Sequence, residues 1–258
     1  MIFYFTGTGN SLYVAKKIGG NLVSIAQAVR KERQLYKDDV IGFVFPTYAV
    51  GIPRIVQNFV NQNQFQAKYS FAVMTCGGSL GSSLMKFEKM AAAHGLKLDY
   101  TNKMVMIDNY GIRSMDKKLK KHMQEREDEK IERIAADIQR QKRSLLHSNR
   151  MVQCYTKLMN TCSGLCYDNA DKHFTIQKNK CIKCGLCQKI CPSGNIRLTP
   201  YPSFLHKCEG CYACMHSCPQ KALSPNRHPM EVQYLHPGIK QSEIISGNQK
   251  MDFLFTGS

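Results

Sequence analysis

Two cysteine runs hold most of the chemistry this chain can offer. They read Cys181-x-x-Cys184-x-x-Cys187-x-x-x-Cys191-Pro192 and Cys208-x-x-Cys211-x-x-Cys214-x-x-x-Cys218-Pro219. Three thiolates spaced two residues apart converge on one face of a 4Fe-4S cubane, and the fourth, just before a proline, crosses to a second cluster. Crossing assigns Cys181, Cys184, Cys187 and Cys218 to one 4Fe-4S cluster, and Cys208, Cys211, Cys214 and Cys191 to the other. Gly185 and Gly210 let the backbone approach the sulfides, while Pro192 and Pro219 turn the chain away after the fourth ligand. The competing reading is a pair of zinc knuckles or a disulfide cluster. Zinc sites usually use separated pairs with a spacer of about twelve or more residues, which neither run contains.

The remaining cysteines carry less. Cys162-x-x-x-Cys166 fails as a radical-SAM triad because Asn169 stands where a third cysteine is needed. Cys76, in a glycine loop, and Cys154 default to buried or free thiols. Eight of the twelve cysteines fall between 181 and 218, so they read as ligands and not as the framework of a secreted disulfide scaffold.

A second kind of chemistry is written in glycine. Thr6-Gly7-Thr8-Gly9-Asn10-Ser11 follows an apolar run and opens a helix-like stretch, the setting in which backbone N–H groups cradle a phosphate. No Gly-Lys-Ser/Thr follows, and Leu12 occupies the place of the third glycine of a dinucleotide loop. A mononucleotide phosphate fits better than ATP or NAD. Two further loops, Pro46-Thr47-Tyr48-Ala49-Val50-Gly51 and Thr75-Cys76-Gly77-Gly78-Ser79-Leu80-Gly81, also follow apolar runs. All three therefore reach the carboxyl edge of one sheet, where such folds bind ligands. Tyr48 is placed to stack on an isoalloxazine, against a plain reading as an exposed structural tyrosine.

The elements behind these loops alternate. Ile2 to Phe5, Val40 to Phe45, Tyr69 to Thr75 and Lys103 to Ile107 read as strands, with a weak one near Leu22 to Ile25. Helical spacing appears after Asn10, from Ile52 to Val60, where Pro53 suits a first turn, and from Ser82 to His94. This pattern predicts an α/β fold with a doubly wound parallel sheet. From Ser114 to about His147, Met115, Leu119, Met123, Ile131, Ile134, Ala135, Ile138 and Leu145 keep a mostly helical period, predicting one long amphipathic helix. Its charges read as a solvated face, with Glu129 and Arg133 at i,i+4. Periodicity fades from 148 to 170, read as a linker; 171–224 is a small, turn-rich, cysteine-dense α+β domain, and 225–258 is an extension.

Residues 1–147 resemble a flavodoxin: Thr6 to Ser11 match its FMN phosphate loop, and the other two loops match those flanking the flavin ring. Residues 171–224 resemble a bacterial two-cluster ferredoxin, and the whole chain is similar to flavodoxin-ferredoxin fusions of anaerobes. Asp108-Asn109-Tyr110 and Tyr234-x-His236-Pro237 are similar to segments of that fusion family. The resemblance implies noncovalent FMN on Thr6, Gly7, Thr8, Gly9, Asn10, Ser11, Pro46, Thr47, Tyr48, Thr75, Gly77, Gly78, Ser79 and Gly81, beside two 4Fe-4S clusters. The chain has no tryptophan, so any aromatic stack on the flavin comes from tyrosine or phenylalanine.

With 258 residues, 43% hydrophobic and 21% charged, the chain is neither disordered, nor collagen-like, nor a long coiled coil. It holds no run of eighteen apolar residues and no basic n-region at its start, which points to a cytoplasmic protein without a membrane anchor. The formal charge of +17 falls to roughly +11 once two oxidised clusters and FMN, each about −2, are bound. A surface of that sign steers an acidic redox partner. The expected function is low-potential electron transfer between the two clusters and FMN. The alternative is an FMN-dependent reductase of a quinone or nitro compound fed through the ferredoxin domain, although no acid, base or nucleophile can be assigned to it. Lys117-Lys118-Leu119-Lys120-Lys121 raises nucleic acid as a third partner class, made unlikely by the lack of aromatic interleaving or any binding motif.

Overall fold

A computed structural model of the chain describes residues 1–109, 117–167, 170–225 and 232–249. Its first half is built on five strands: β1 (Ile2–Tyr4), β2 (Leu22–Ser24), β3 (Leu35–Pro46), β4 (Gln64–Cys76) and β5 (Tyr100–Val105). They form one sheet in the order β2-β1-β3-β4-β5, and every neighbouring pair is parallel. The weak strand near Leu22 is thus present, at one edge. β3 alternates in exposure over its first residues and is then buried from Ile41 to Phe45, as expected where a central strand passes beneath covering helices. Register places Phe3 beside Phe43, Phe43 beside Ala72 and Ala72 beside Thr101. Gly42 is required by packing: a Cβ there would stand 2.1 Å from the Phe71 ring.

Helices α1 (Asn10–Ile18), α2 (Ile25–Ala28), α3 (Arg54–Gln62) and α4 (Ser83–Ala93) connect these strands. An aromatic cluster of Phe3, Phe43, Phe59, Phe65 and Phe87 joins sheet to helices, with ring centroids 4.9 to 5.8 Å apart among several pairs.

Two expectations are corrected beyond β5. The long helix α5 (Lys117–Gln139) ends well before His147. Gln141 adopts φ 51°, and Ser144 then pairs alongside Tyr100 at the sheet edge. Leu145, half-buried against the core, belongs to this extended cover strip and not to the helix. Ile131, Ile134, Ala135 and Ile138 do form the buried face, and Arg133 meets Glu129 at 3.2 Å. Met115 lies outside the described residues, as do the side chains at 119 and 123.

The second concerns the segment 148–170, where periodicity reads as fading across a linker. It contains helix α6 (Arg150–Tyr167), whose Val152 N–H is capped by Asn149 Oδ1 at 2.9 Å. Among its described side chains the large apolar ones do not face a core, which is why periodicity missed it: Met151 is 81% exposed, Tyr155 54% and Leu158 65%. The helix is anchored by Thr156, fully buried, whose Oγ1 accepts from Ser82 N at 3.0 Å.

The cysteine-rich part comprises a 3-10 turn (Ala170–His173), β6 (Phe174–Ile176), α7 (Leu186–Ile190), β7 (Ile196–Leu198), β8 (Pro202–Phe204), α8 (Ala213–His216) and β9 (Leu223–Pro225). β6 pairs with β9 and β7 with β8, both antiparallel. A last helix, α9 (Gln241–Asn248), ties the halves together: its Gly247 carbonyl accepts from Ser24 Oγ, and Asn248 Nδ2 donates to Ile190 O at 2.8 Å. Arg30 adds to the clamp by donating to the carbonyls of Asn248 and Pro192 at 3.1 and 2.7 Å.

Candidate redox site

The eight cysteines of the two runs gather around two small cavities. One is lined by Cys181, Cys184, Cys187 and Cys218, the other by Cys191, Cys208, Cys211 and Cys214. These are the crossed sets. Each pairs three cysteines of one run with the last cysteine of the other, because α7 and α8 carry Cys191 and Cys218 past each other. Among the described residues no three His, Cys, Asp or Glu side chains group as a site for a single metal ion; the thiols surround a space instead. The loops permit this through Gly185 at φ 73° and Gly210 at φ 66°.

The thiols are embedded in apolar surroundings. Burial pushes Cys187 up to about 11 and Cys208 up to about 12, and raises Cys211 and Cys214 well above the ordinary thiol value. Such groups become thiolates only with positive charge buried beside them, which iron supplies. Local N–H groups already point at sulfur: Asn195 N donates to Cys191 Sγ, Gly210 N to Cys208 Sγ and Ala222 N to Cys218 Sγ, each at 3.3 Å. Such bonds raise the reduction potential of an iron-sulfur site.

A larger cleft of about 450 Å³ opens at the carboxyl edge of the sheet. Twelve of the fourteen loop residues singled out above line it: Thr6, Gly7, Thr8, Asn10, Ser11, Pro46, Thr47, Tyr48, Thr75, Gly77, Gly78 and Ser79. Gly9 and Gly81 do not. Gly9 is the left-handed residue, φ 99°, that starts α1, and Gly81, φ 57°, turns beneath Thr156. The loops are cross-braced. Gly9 N donates to Thr6 Oγ1 at 3.0 Å, Ser11 Oγ and Thr75 Oγ1 are 2.8 Å apart, and Thr47 Oγ1 donates to Gly51 O at 2.9 Å.

Ile107, Asp108 and Asn109 complete the cleft from the end of β5, with Asn109 Nδ2 donating to Thr8 Oγ1 at 3.1 Å. Tyr110 lies outside the described residues. The C-terminal segment passes behind the first loop: His236 N donates to Thr8 O at 2.8 Å, and Tyr234 OH to Asn10 Oδ1 at 2.8 Å.

Gly210 and Tyr212, from the second cysteine run, also line the cleft. Their neighbour Cys211 sits against the first glycine loop, so that a Cβ on Gly7 would stand 2.7 Å from the Cys211 carbonyl oxygen. Beside it, Glu209 Oε2 accepts from Ile55 N at 3.2 Å at the start of α3, and Arg54 donates to the Cys208 carbonyl. Buried His216 joins the two regions as well: its Nε2 donates to Asn109 O at 3.0 Å while Nδ1 accepts from Tyr234 N at 3.1 Å. Burial holds this imidazole down at about 4, hence neutral. The cavity of Cys191, Cys208, Cys211 and Cys214 is therefore the one next to the cleft.

Residues 174–197 match the family described as 4Fe-4S binding domain. The chain is 38% identical over 78 residues to the polyferredoxin protein MvhB of Methanothermus fervidus, covering 30% of this chain and 18% of that protein. It is 47% identical over 45 residues to one component of the ion-translocating oxidoreductase complex of Methanosarcina acetivorans, 17% of each chain. With pyruvate synthase subunit PorD of Methanocaldococcus jannaschii it shares 34% over 55 residues, 20% of this chain and 64% of that one. The chain thus spans under a fifth of the first two relatives. Its C-terminal region carries a 4Fe-4S ferredoxin domain, and with that domain comes an iron-sulfur electron-transfer role. No helix among the described residues is long and apolar enough to cross a membrane.

Proposed function

We propose that the chain is a low-potential electron-transfer protein of the flavodoxin-ferredoxin fusion type, in which a cleft for FMN stands next to one of two 4Fe-4S clusters. The observation that carries this reading is the contact of the Cys211 loop with the Gly7 loop. The clusters would supply single-electron steps and FMN would exchange one or two electrons. In support of a flavodoxin-like first half, the strand order β2-β1-β3-β4-β5 is that of doubly wound folds that bind FMN at the β1/β3 switch point.

The chain's own groups suit the phosphate. Thr6 and Thr8 use their oxygens as acceptors, from Gly9 N and Asn109 Nδ2, and so keep their hydroxyl protons for a phosphate oxygen. No acidic residue stands in the first turn of α1 to oppose an anion there. Tyr48 and the 75–79 loop would flank the ring. On this reading residues 1–147 form the flavin half and 171–224 the cluster half, with α6 between them and the C-terminal extension bracing Thr8 and Asn10. Thiolate-bound clusters suit a reducing cytoplasm and anaerobic metabolism, and an acidic redox protein is the partner in keeping with +17.

The test is compositional. Protein purified without oxygen should hold about eight irons, eight sulfides and one FMN per chain. A stable apoprotein that takes up iron and sulfide but no FMN would overturn the flavin half of the proposal.

A further inference from the structure

The two cluster cavities differ in what surrounds them. Three residues that line the cavity of Cys191, Cys208, Cys211 and Cys214 are contacted from the first half of the chain: Cys211 by Gly7, Glu209 by Ile55 and Pro192 by Arg30. Both cavities are lined only by residues of the cysteine-rich part, 174–214 for this one and 181–223 for the one of Cys181, Cys184, Cys187 and Cys218. Cys184 is exposed, Cys181 half-buried, and Ile182 between them is 60% exposed.

Charge separates this region from the rest of the molecule. Residues 171–224 contain eight lysines and arginines but only two carboxylates, Asp171 and Glu209. Both carboxylates are buried and engaged, Asp171 by Asn195 Nδ2 at 2.8 Å and Glu209 by Ile55 N at 3.2 Å. All the exposed formal charge of the region is therefore positive. Part of it is held in place at the cavity mouth, where Lys178 and Lys183 stand over the Tyr201 ring at 5.6 and 4.9 Å. An exposed apolar residue ringed by charge of one sign has the anatomy of a transient docking site.

We infer that this outer cavity is the electron port of the chain, and that an acidic one-electron carrier protein docks over Ile182 against Lys178, Lys180 and Lys183. The inference rests on the two-cluster reading above. In the exchange, the reduced carrier gives up one electron and the cluster held by Cys181, Cys184, Cys187 and Cys218 gains it, from the 2+ to the 1+ level, with no proton transferred. The same surface serves the reverse direction.

The test uses full-length holoprotein with its iron counted, mixed anaerobically with a reduced, acidic plant-type [2Fe-2S] ferredoxin as the probe. Its second-order rate constant should fall about tenfold or more between low and high salt. The double variant Lys178→Glu and Lys183→Glu should lose about tenfold at low salt and lose the salt dependence, while Lys97→Glu, just before the amino end of β5, stays within about twofold. Reduction by methyl viologen radical, a small cation, should not slow in the double variant, showing its clusters intact. A double variant that keeps the parent rate and salt slope overturns the port. Holoprotein with about four irons overturns the two-cluster reading on which the port depends.

Discussion

Gly7 and Cys211 approach so closely that a Cβ on Gly7 would stand 2.7 Å from the Cys211 carbonyl oxygen and 3.0 Å from its Cβ. The first glycine loop of the sheet and the middle of the second cysteine run are thus in van der Waals contact at backbone level. Glycine is needed at position 7 for space and not for its dihedral angles, since its φ is not positive. Next to this contact, Tyr212 lines both the cleft and the cavity of Cys191, Cys208, Cys211 and Cys214.

Gly7→Ala should force the two loops apart, at a cost of about 1–3 kcal/mol for the added methyl. The expected outcome is unchanged iron content, weaker FMN retention and slower electron exchange between cluster and flavin. Fluorescence of released FMN and stopped-flow absorbance check both parts.

Glu209 fastens the same loop to α3 by accepting from the Ile55 N–H. Glu209→Ala leaves that buried donor without its acceptor, costing about 1–3 kcal/mol. Glu209→Gln keeps an acceptor oxygen and should recover most of the loss. Burial raises the Glu209 carboxyl, with Ile55 N–H and Arg54 opposing, so the Gln variant should not lose ground to the parent as pH rises. Anaerobic thermal unfolding of the three proteins is the measurement.

Behind the first loop, Glu127 Oε2 lies 3.9 Å from His236 Nε2, with both side chains 4% exposed. Burial raises Glu127 up to about 7 and lowers His236 to about 4, so near pH 5.5 both are neutral and no ion pair forms. The signs are opposite. Glu127, raised from 4.5, withdraws stability as pH climbs through about 7; His236, lowered from 6.5, withdraws it as pH falls toward about 4. Glu127→Gln should therefore gain up to about 3 kcal/mol on the parent at pH 8 and nothing at pH 4.5. Equal differences in Tm at both pH values would contradict this.

On the two-cluster reading, the crossed cavities assign which cysteines act together. Cys191→Ala should disturb the same cluster as Cys211→Ala, and Cys218→Ala the same one as Cys184→Ala. Electron paramagnetic resonance spectra of the reduced variants should fall into these two pairs. Grouping by run, with Cys191 behaving like Cys184, would refute the crossing.

Much of this was legible in the residues. Buried central strands such as Ile41–Phe45 and Phe71–Met74 read as continuous apolar runs because both faces are covered, and the loops following them then had to share one sheet edge. The grouping of the cysteines around two cavities follows the spacing and repetition of the two runs. α6 was not, since Met151, Tyr155 and Leu158 have no core to face. Leu145 misled because a half-buried leucine on an extended strip fits a helical period by coincidence. Gly210 and Tyr212 were missed as cleft residues since the cysteine spacing already accounted for them, and only tertiary contact brings them to Gly7. The loop after β5 was singled out in the sequence only by the resemblance of Asp108-Asn109-Tyr110, and its place as a fourth loop at that edge emerges from the structure, where Asn109 Nδ2 donates to Thr8 Oγ1.

The most direct test of the wiring is the rate at which flavin is reduced through the inner cluster. FMN-loaded parent protein and Cys211→Ala would be mixed anaerobically with the reduced acidic ferredoxin and followed at flavin and cluster wavelengths. In the parent, cluster bleaching should precede flavin reduction, and in the variant flavin reduction should slow by about a hundredfold or more while FMN stays bound, a barrier increase of about 2.7 kcal/mol. Flavin reduced at the parent rate in the variant would contradict the account, because electrons would then reach the cleft without passing the Cys211 loop.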